Sequence, residues 1–153
     1  MRPVKQQFRH DPANGVYGDC HRAAIATALG LDIEAVPHFG EGDPPVDEFY
    51  AREETFLDTV GLRSVQLPVA GEIGLDATLA MVERLNGDVV YLLGGKSRTG
   101  VNHTVVCRGG AIAHDPSQTA AGIIGPCNDG YYWLTFFSPA DLVGHAAALG
   151  AGR

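Results

Sequence analysis

The stretch GDCHRAAIATALG, residues 18–30, places a cysteine at the start of an alanine-rich apolar run. Alanine has the highest helix propensity and glycine commonly ends a helix, so the stretch predicts a helix over residues 20–30 that stops at Gly30. Asp19 is a favoured N-cap residue type, and we expect its carboxylate to accept backbone N–H groups of the first turn. The positive end of the helix dipole would then lie at Cys20, where it favours the nucleophilic thiolate.

The rest of the chain separates into a mainly helical part and a strand-rich part. Apolar residues at helical spacing and a Ser-Pro start signal predict helices at residues 46–60, 75–85 and 138–149. Alternation and β-branched or aromatic runs predict strands at residues 62–69, 88–93, 102–108, 111–115 and 131–137. We expect loops at 94–100 and at 116–130, the second a lid that brings Ile123 and Ile124 to a site. This order indicates an α+β fold, with N-terminal helices packed on a largely antiparallel sheet.

Length, charge and cysteine usage limit the class of protein. The chain has 153 residues, which suits a single domain over residues 1–153. Its net charge of −7 argues against nucleic-acid binding, because that function needs clustered Lys and Arg. No apolar stretch approaches the roughly 20 residues of a membrane span, and the polar N-terminus does not resemble a signal peptide. We therefore expect no membrane partner, a cytoplasmic location and, with three cysteines that lack CxxC spacing, no disulfide framework.

A histidine and an aspartate later in the chain complete a constellation with Cys20. His103 stands at the start of a predicted strand, and Gly109-Gly110 predicts a tight turn into the next strand. The resulting hairpin returns Asp115 to the level of His103, where a carboxylate can hold an imidazole in its useful tautomer. These residue types in this order predict a nucleophile, a general base and an orienting group.

Four segments of the chain resemble the papain-like cysteine peptidase superfamily. They are PVKQQF (3–8), GDC (18–20), AVPHF (35–39) and NHTVVCRGGAIAHDP (102–116). The nearest likeness is to small uncharacterised bacterial and phage papain-like proteins and to the bacteriocin-leader peptidase domains of peptide exporters. The middle of the chain, residues 41–99, matches in type of element only. The resemblance implies a papain-like fold, peptidase or amidase activity through a thioester, a peptide or protein substrate, and neither cofactor nor metal.

The resemblance also implies a glutamine that completes an oxyanion hole with the backbone N–H of the catalytic cysteine. One such donor is commonly worth about 3 kcal/mol in the transition state. Gln6 fits this role best, because its Pro-Val-x-Gln context matches the family. Gln7 is an alternative, although two neighbours on an extended segment point to opposite faces. Asn14 is a third candidate, because its distance from the cysteine along the chain is closer to that of the glutamine in papain.

Other interpretations of these residues stay open at this point. A cysteine in an alanine-rich helix is commonly a small buried hydrophobe. A transglutaminase- or deamidase-like enzyme would use the same three groups on a glutamine side chain, and a catalytically silent papain-like domain would bind a partner in its cleft. Zinc is disfavoured, because His103 and Cys107 on one strand would lie about 13 Å apart, whereas zinc bonds are about 2.0–2.3 Å long. The loop at 94–100 lacks the first glycine of a phosphate-binding motif.

Overall fold

The computed structural model describes residues 1–152 of the chain. Within this range the α-helices are α1 (Cys20–Leu29), α2 (Val46–Thr59), α3 (Leu75–Asn86) and α4 (Leu142–Ala151). The β-strands are β1 (Leu62–Ala70), β2 (Val90–Lys96), β3 (Asn102–Arg108), β4 (Ala111–His114) and β5 (Tyr131–Pro139). None of the helices in this range combines the length and the apolar character that crossing a lipid bilayer requires.

The five strands form one antiparallel sheet in the order β1-β5-β2-β3-β4. Strand β2 lies at its centre, and Tyr91, Leu92 and Leu93 are fully buried there. Strands β3 and β4 form a hairpin whose turn contains Gly109 at φ 54°, a left-handed conformation that glycine adopts without strain. This hairpin sets the position of the residues that follow β4.

The sheet separates two hydrophobic clusters, because successive strand residues face opposite sides. On one side, the fully buried residues 23–26 of α1 pack with α2 residues against Leu92 and Val106. On the other side, α3 packs through Val82 against a cluster that includes Leu93 and Val105. Alanine side chains let α1 approach the sheet closely, so the N-terminus of α1 is held in a fixed place beside β3.

The structure confirms the expected α+β class, and each predicted helix and strand has a counterpart within a few residues. The loop prediction at 94–100 is wrong for its first three residues, which extend β2 as far as Lys96. The reason is that Gly95 pairs with His103 within the sheet, and its lack of a side chain leaves space in which Ile123 packs. A Cβ at Gly95 would lie 2.6 Å from Cγ2 of Ile123. The glycine therefore serves close packing inside a strand and not a turn.

Candidate active site

Cys20 is the first residue of α1, at the end of the helix that lies beside β3. Its thiol is partly exposed and lies close enough to His103, the second residue of β3, to raise the pKa of that imidazole. The backbone N–H groups at the start of a helix have no acceptor within that helix, so they remain available to a ligand. The helix thus presents a thiol and free N–H groups at one point.

Asp115 follows directly after β4, and its carboxylate accepts three hydrogen bonds. Its Oδ1 accepts from Nε2 of His103 at 2.7 Å and from the N–H of Ser117 at 2.8 Å. Its Oδ2 accepts from the N–H of Gly122 at 2.8 Å. Because Nε2 carries the hydrogen donated to Asp115, Nδ1 of the imidazole is the nitrogen that faces Cys20. The structure therefore brings the three predicted residues into one connected chain of contacts.

The charges in this chain of contacts shift two pKa values in opposite directions. Burial lowers the pKa of His103, but hydrogen bonds and charge interactions with Cys20 and Asp115 raise it, and the net shift is upward. Burial raises the pKa of Asp115, but the hydrogen bond and the charge of His103 and two backbone N–H groups lower it, and the net shift is downward. Both shifts favour an imidazolium ion held between the thiol and the carboxylate.

Asp19 precedes α1, but its carboxylate does not cap the helix, so that prediction is wrong. Its Oδ1 accepts instead from the N–H of Phe8 at 2.8 Å, and its Oδ2 accepts from Arg22 at 3.3 Å. The cause is the N-terminal segment, which runs beside the start of α1 and offers a backbone donor to a side chain that is 2% exposed. Asp19 thereby ties the N-terminal segment to the residue that adjoins Cys20.

Gln6 lies on this N-terminal segment and lines a cavity together with Cys20 and His103. Its Nε2 donates to the carbonyl oxygen of Phe8 at 2.9 Å. A side-chain amide has two N–H hydrogens, so one of them remains available to the cavity. The contact with Phe8 fixes the amide, and Phe8 is itself fixed by Asp19.

The two alternatives for the oxyanion donor lie elsewhere. The amide of Gln7 donates to Glu34 at 2.8 Å, on the other face of the N-terminal segment. Asn14 belongs to a short 3-10 turn, and its amide donates to Asp11 at 2.7 Å. Neither Gln7 nor Asn14 lines a cavity that contains Cys20.

Two clefts meet at the pair Cys20 and His103, which lines both of them. The first cleft has a volume of about 250 Å³ and also contains Gln6, Arg9, His10 and hydroxyl-bearing residues of the segments 97–99 and 117–119. The second cleft has a volume of about 320 Å³, and its walls include Phe49, Tyr50, Cys127, Asp129 and Trp133. A substrate long enough to occupy both clefts would pass over the thiol.

The long loop at 116–130 supplies residues to both clefts, but Ile123 and Ile124 are not among them. Backbone hydrogen bonds fix this loop along β2, from Lys96 N–H to Gly125 and from Ile124 N–H to Lys96. Ile123 is consequently buried in the cluster beneath α3, and Ile124 is 63% exposed. The expected contacts of Ile123 and Ile124 with the site are therefore not formed.

A buried pair next to the thiol was not found from the sequence. Nε2 of His21 lies 2.7 Å from Oε2 of Glu53, and Nδ1 of His21 lies 3.3 Å from the hydroxyl of Thr104. Glu53 is fully buried, and its Oε1 has no hydrogen-bond partner among residues 1–152. The contacts tie α1 to α2 and β3 at the residue that follows Cys20.

Three cleft residues were also missed by sequence reasoning. Arg9 and His10 line the first cleft. They belong to an N-terminal segment whose sequence predicts only turns, and no local pattern indicates that this segment lies beside the site. Trp133 belongs to an aromatic strand whose alternation suggests burial on both faces. Trp133 pairs with Gly94 of β2. A glycine leaves space beside the large side chain of its strand partner, and this pairing could have indicated a cleft next to Trp133.

The arrangement of cysteines and histidines bears on metal binding. Within residues 1–152, no group of three or more His, Cys, Asp or Glu side chains is placed to hold a metal ion. Cys107 is fully buried in the core, and Cys127 lies in the second cleft. The reactive groups that the structure places at the junction of the clefts are the Cys20 thiol and the His103 imidazole, with the Asp115 carboxylate behind the imidazole.

Comparison with known proteins identifies no relative of this chain. No protein-family model matches it. No curated protein matches it, and no solved structure does.

Proposed function

We propose that this chain is a cysteine-dependent hydrolase of peptide or other amide bonds, with a papain-like fold and Cys20 as its nucleophile. The observation that carries the proposal is that Cys20 and His103 lie together at the junction of two clefts, where Asp115 holds His103 by a hydrogen bond. A nucleophile in contact with a base, which is itself held by a third group, is the arrangement that nucleophilic catalysis requires.

The first half of the reaction forms a thioester. The Cys20 sulfur attacks the substrate carbonyl carbon while its proton resides on Nδ1 of His103. The negative charge that develops on the carbonyl oxygen is stabilised by the N–H of Cys20 and by the free N–H of Gln6. The C–N bond then breaks, and His103 donates its proton to the leaving amine. Asp115 keeps the hydrogen on Nε2 throughout, so the other nitrogen always faces the thiol.

The second half releases the acyl group. A water molecule takes the place of the leaving amine, and Nδ1 of His103 removes a proton from it as it attacks the thioester carbonyl. The same two N–H groups stabilise the second oxyanion. The C–S bond breaks, the acid leaves, and Cys20 and His103 return to their starting state.

Alkylation of the cysteines with iodoacetamide tests the proposed nucleophile. At about pH 6, Cys20 is expected to react about tenfold faster than Cys127 or more, because a neighbouring imidazolium stabilises its thiolate. Burial raises the pKa of Cys127 to about 11, with a further contribution from Asp129, so that thiol stays protonated. His103→Ala is expected to lower the Cys20 rate at this pH by about tenfold. Peptide mass spectrometry reports the modification of each cysteine separately.

His114→Ala is the matched control for this experiment. His114 is the last residue of β4, and its Nε2 lies 2.7 Å from the carbonyl oxygen of Val4, so it makes no contact with the thiol. The Cys20 rate is expected to stay unchanged in this variant. If Cys20 reacts no faster than Cys127, or if the two histidine variants behave alike, the assignment of Cys20 and His103 is wrong.

Gln6→Ala is expected to lower the rate of ester hydrolysis by about 100-fold, because the variant loses one of two oxyanion donors. The alkylation rate of Cys20 is expected to stay unchanged, since alkylation passes through no oxyanion. Gln7→Ala, which removes the same side chain one residue later, serves as the control. Steady-state kinetics with p-nitrophenyl acetate measure the effect, and equal rates in the two variants would exclude Gln6 from this role.

A further inference from the structure

The second cleft combines aromatic walls with a carboxylate. Phe49 and Tyr50 from α2 and Trp133 from β5 form its apolar surfaces, and Asp129 lies at its edge. Neither a lysine nor an arginine is among its described lining residues. Aromatic faces and a carboxylate are the groups that bind an ammonium or guanidinium ion in proteins.

The carboxylate of Asp129 is held in place by its neighbours. Its Oδ2 accepts from Nε1 of Trp133 at 2.8 Å, and its Oδ1 accepts from the N–H of Tyr131 at 3.1 Å. Each carboxylate oxygen has two lone pairs, so both oxygens can still accept from a ligand. No Lys, Arg or His side chain of residues 1–152 forms an ion pair with Asp129, so its charge is available to the cleft.

Two carboxylates act on the Tyr50 hydroxyl at the wall of this cleft. Burial raises the pKa of Tyr50, and the charges of Glu53 and Asp129 raise it further. Glu53 lies beneath the cleft, fully buried behind His21. Two positive groups oppose these carboxylates: the imidazolium of His103, which lines both clefts, and Lys96, which lowers the pKa of Cys127 but is outweighed by burial and Asp129.

The first cleft has the opposite character. Arg9 is among its lining residues, whereas no Asp or Glu is. No carboxylate of residues 1–152 lies within ion-pair distance of Arg9. The two clefts on either side of the Cys20–His103 pair therefore differ in their charged lining residues, Arg9 in the first and Asp129 in the second, although the whole chain carries a charge of −7.

Resting on the proposed function, we propose that the second cleft is a subsite for a positively charged substrate group, an alkylammonium or guanidinium as in a lysine or arginine side chain. Asp129 pairs with the charge, and Trp133 and Tyr50 contact the alkyl stem and the face of the cation. The substrate is then a peptide or amide that carries this cation close to the bond that Cys20 attacks. Asp129 is the residue that determines this specificity.

Charged alkylating reagents test this subsite without a known substrate. N-(aminopropyl)-, N-propyl- and N-(carboxyethyl)-iodoacetamide present the same reactive carbon with a positive, neutral or negative group. In each reaction the Cys20 sulfur forms a bond to that carbon and iodide leaves. One charge pair near 4 Å in a solvated cleft corresponds to a preference of about fivefold, which salt reduces. We therefore expect the cationic reagent to modify Cys20 about fivefold faster than the neutral one at low ionic strength.

Two substitutions that each remove one negative charge distinguish a local effect of Asp129 from an effect of the net charge of the protein. Asp129→Asn is expected to bring the cation-to-neutral ratio close to one. Glu54→Gln removes an exposed carboxylate of α2 that does not line the second cleft, and it is expected to keep the fivefold ratio. Asp129→Lys is expected to reverse the preference in favour of the carboxyethyl reagent.

The outcomes distinguish the subsite from the nucleophile. The subsite is overturned if Cys20 reacts selectively but with no preference for the cation, or if Asp129→Asn and Glu54→Gln give the same ratio. If none of the three reagents modifies Cys20 faster than Cys127, the proposed function itself fails. Circular dichroism of each variant establishes that the ratios are compared between folded proteins.

Discussion

Cys20→Ala is expected to reduce the hydrolysis of p-nitrophenyl acetate to the rate measured without protein, a loss of about 10³-fold or more. In the proposed reaction the thiol forms the acyl-enzyme, and among residues 1–152 the side chains that raise the pKa of His103 are those of Cys20 and Asp115. A catalytic unit fails as a whole when its nucleophile is removed, although the cleft and the oxyanion donors remain. The measurement is the initial rate of nitrophenol release at about pH 7.

The control for this prediction is the second thiol of the site. Cys127 lines the second cleft together with Cys20, so Cys127→Ser tests whether any partly exposed thiol there would suffice. We expect this variant to retain the wild-type rate within about twofold. We also expect mass spectrometry of rapidly quenched wild-type protein to place the acetyl group on Cys20. An acetyl group on Cys127, or a Cys20→Ala variant that keeps about a tenth of the activity, would contradict the assignment.

The parts of the site that depend on local sequence could be predicted. The helix that begins at Cys20 follows from its alanine content and from Gly30, whose φ of 73° ends it. The approach of His103 and Asp115 follows from a hairpin with a two-glycine turn, because a hairpin sets two segments side by side. Both features require only short-range information.

The parts that depend on packing between distant segments could not be predicted. Asp19 has a side chain that commonly caps a helix, but its carboxylate accepts the N–H of Phe8 from the N-terminal segment instead of an N–H of the first turn of α1. The same segment brings Gln6 and Arg9 to the first cleft, although its sequence suggests only turns. Glu53 faces His21 because α2 packs beside α1, and no local pattern links two residues that lie 32 positions apart. Such contacts depend on how elements meet, which single-sequence periodicity does not describe.

Asp115→Ala is expected to lower both the rate and the stability of the protein. The carboxylate satisfies two backbone N–H groups, of Ser117 and Gly122, besides holding His103. Loss of these partners is expected to cost about 2–4 kcal/mol of the free energy of unfolding. Without the acceptor at Nε2, the imidazole loses its tautomer and orientation, and the hydrolysis rate is expected to fall by about 10²–10³-fold. Urea unfolding and ester hydrolysis measure the two effects separately.

Asp115→Asn is the matched variant, and the hydrogen-bond pattern predicts a milder loss. His103 and Ser117 both donate to Oδ1, so an asparagine that keeps its oxygen there retains both bonds. Its amide group would then face the N–H of Gly122, which loses its acceptor. If the asparagine amide were turned the other way, its NH2 group would face the N–H of Ser117. It would also face Nε2 of His103, which would then have to accept a hydrogen bond, and the imidazole would carry its hydrogen on Nδ1 instead. We therefore expect a rate within about tenfold of wild type and a smaller loss of stability than in Asp115→Ala.

The pH dependence of unfolding gives an independent measure of the same contacts. The pKa of Asp115 is lowered by folding, so its carboxylate stabilises the protein above an unfolded value of about 3.9, and this contribution is lost as the pH falls through the folded value. The pKa of His103 is raised, so its contribution is complete below about 6.5 and is lost as the pH rises through the folded value. In Asp115→Asn the decline in stability below about pH 4 is expected to become shallower, because that group no longer titrates. An unchanged decline would mean that Asp115 does not hold an imidazolium in the folded protein, and the orienting role assigned to it would be wrong.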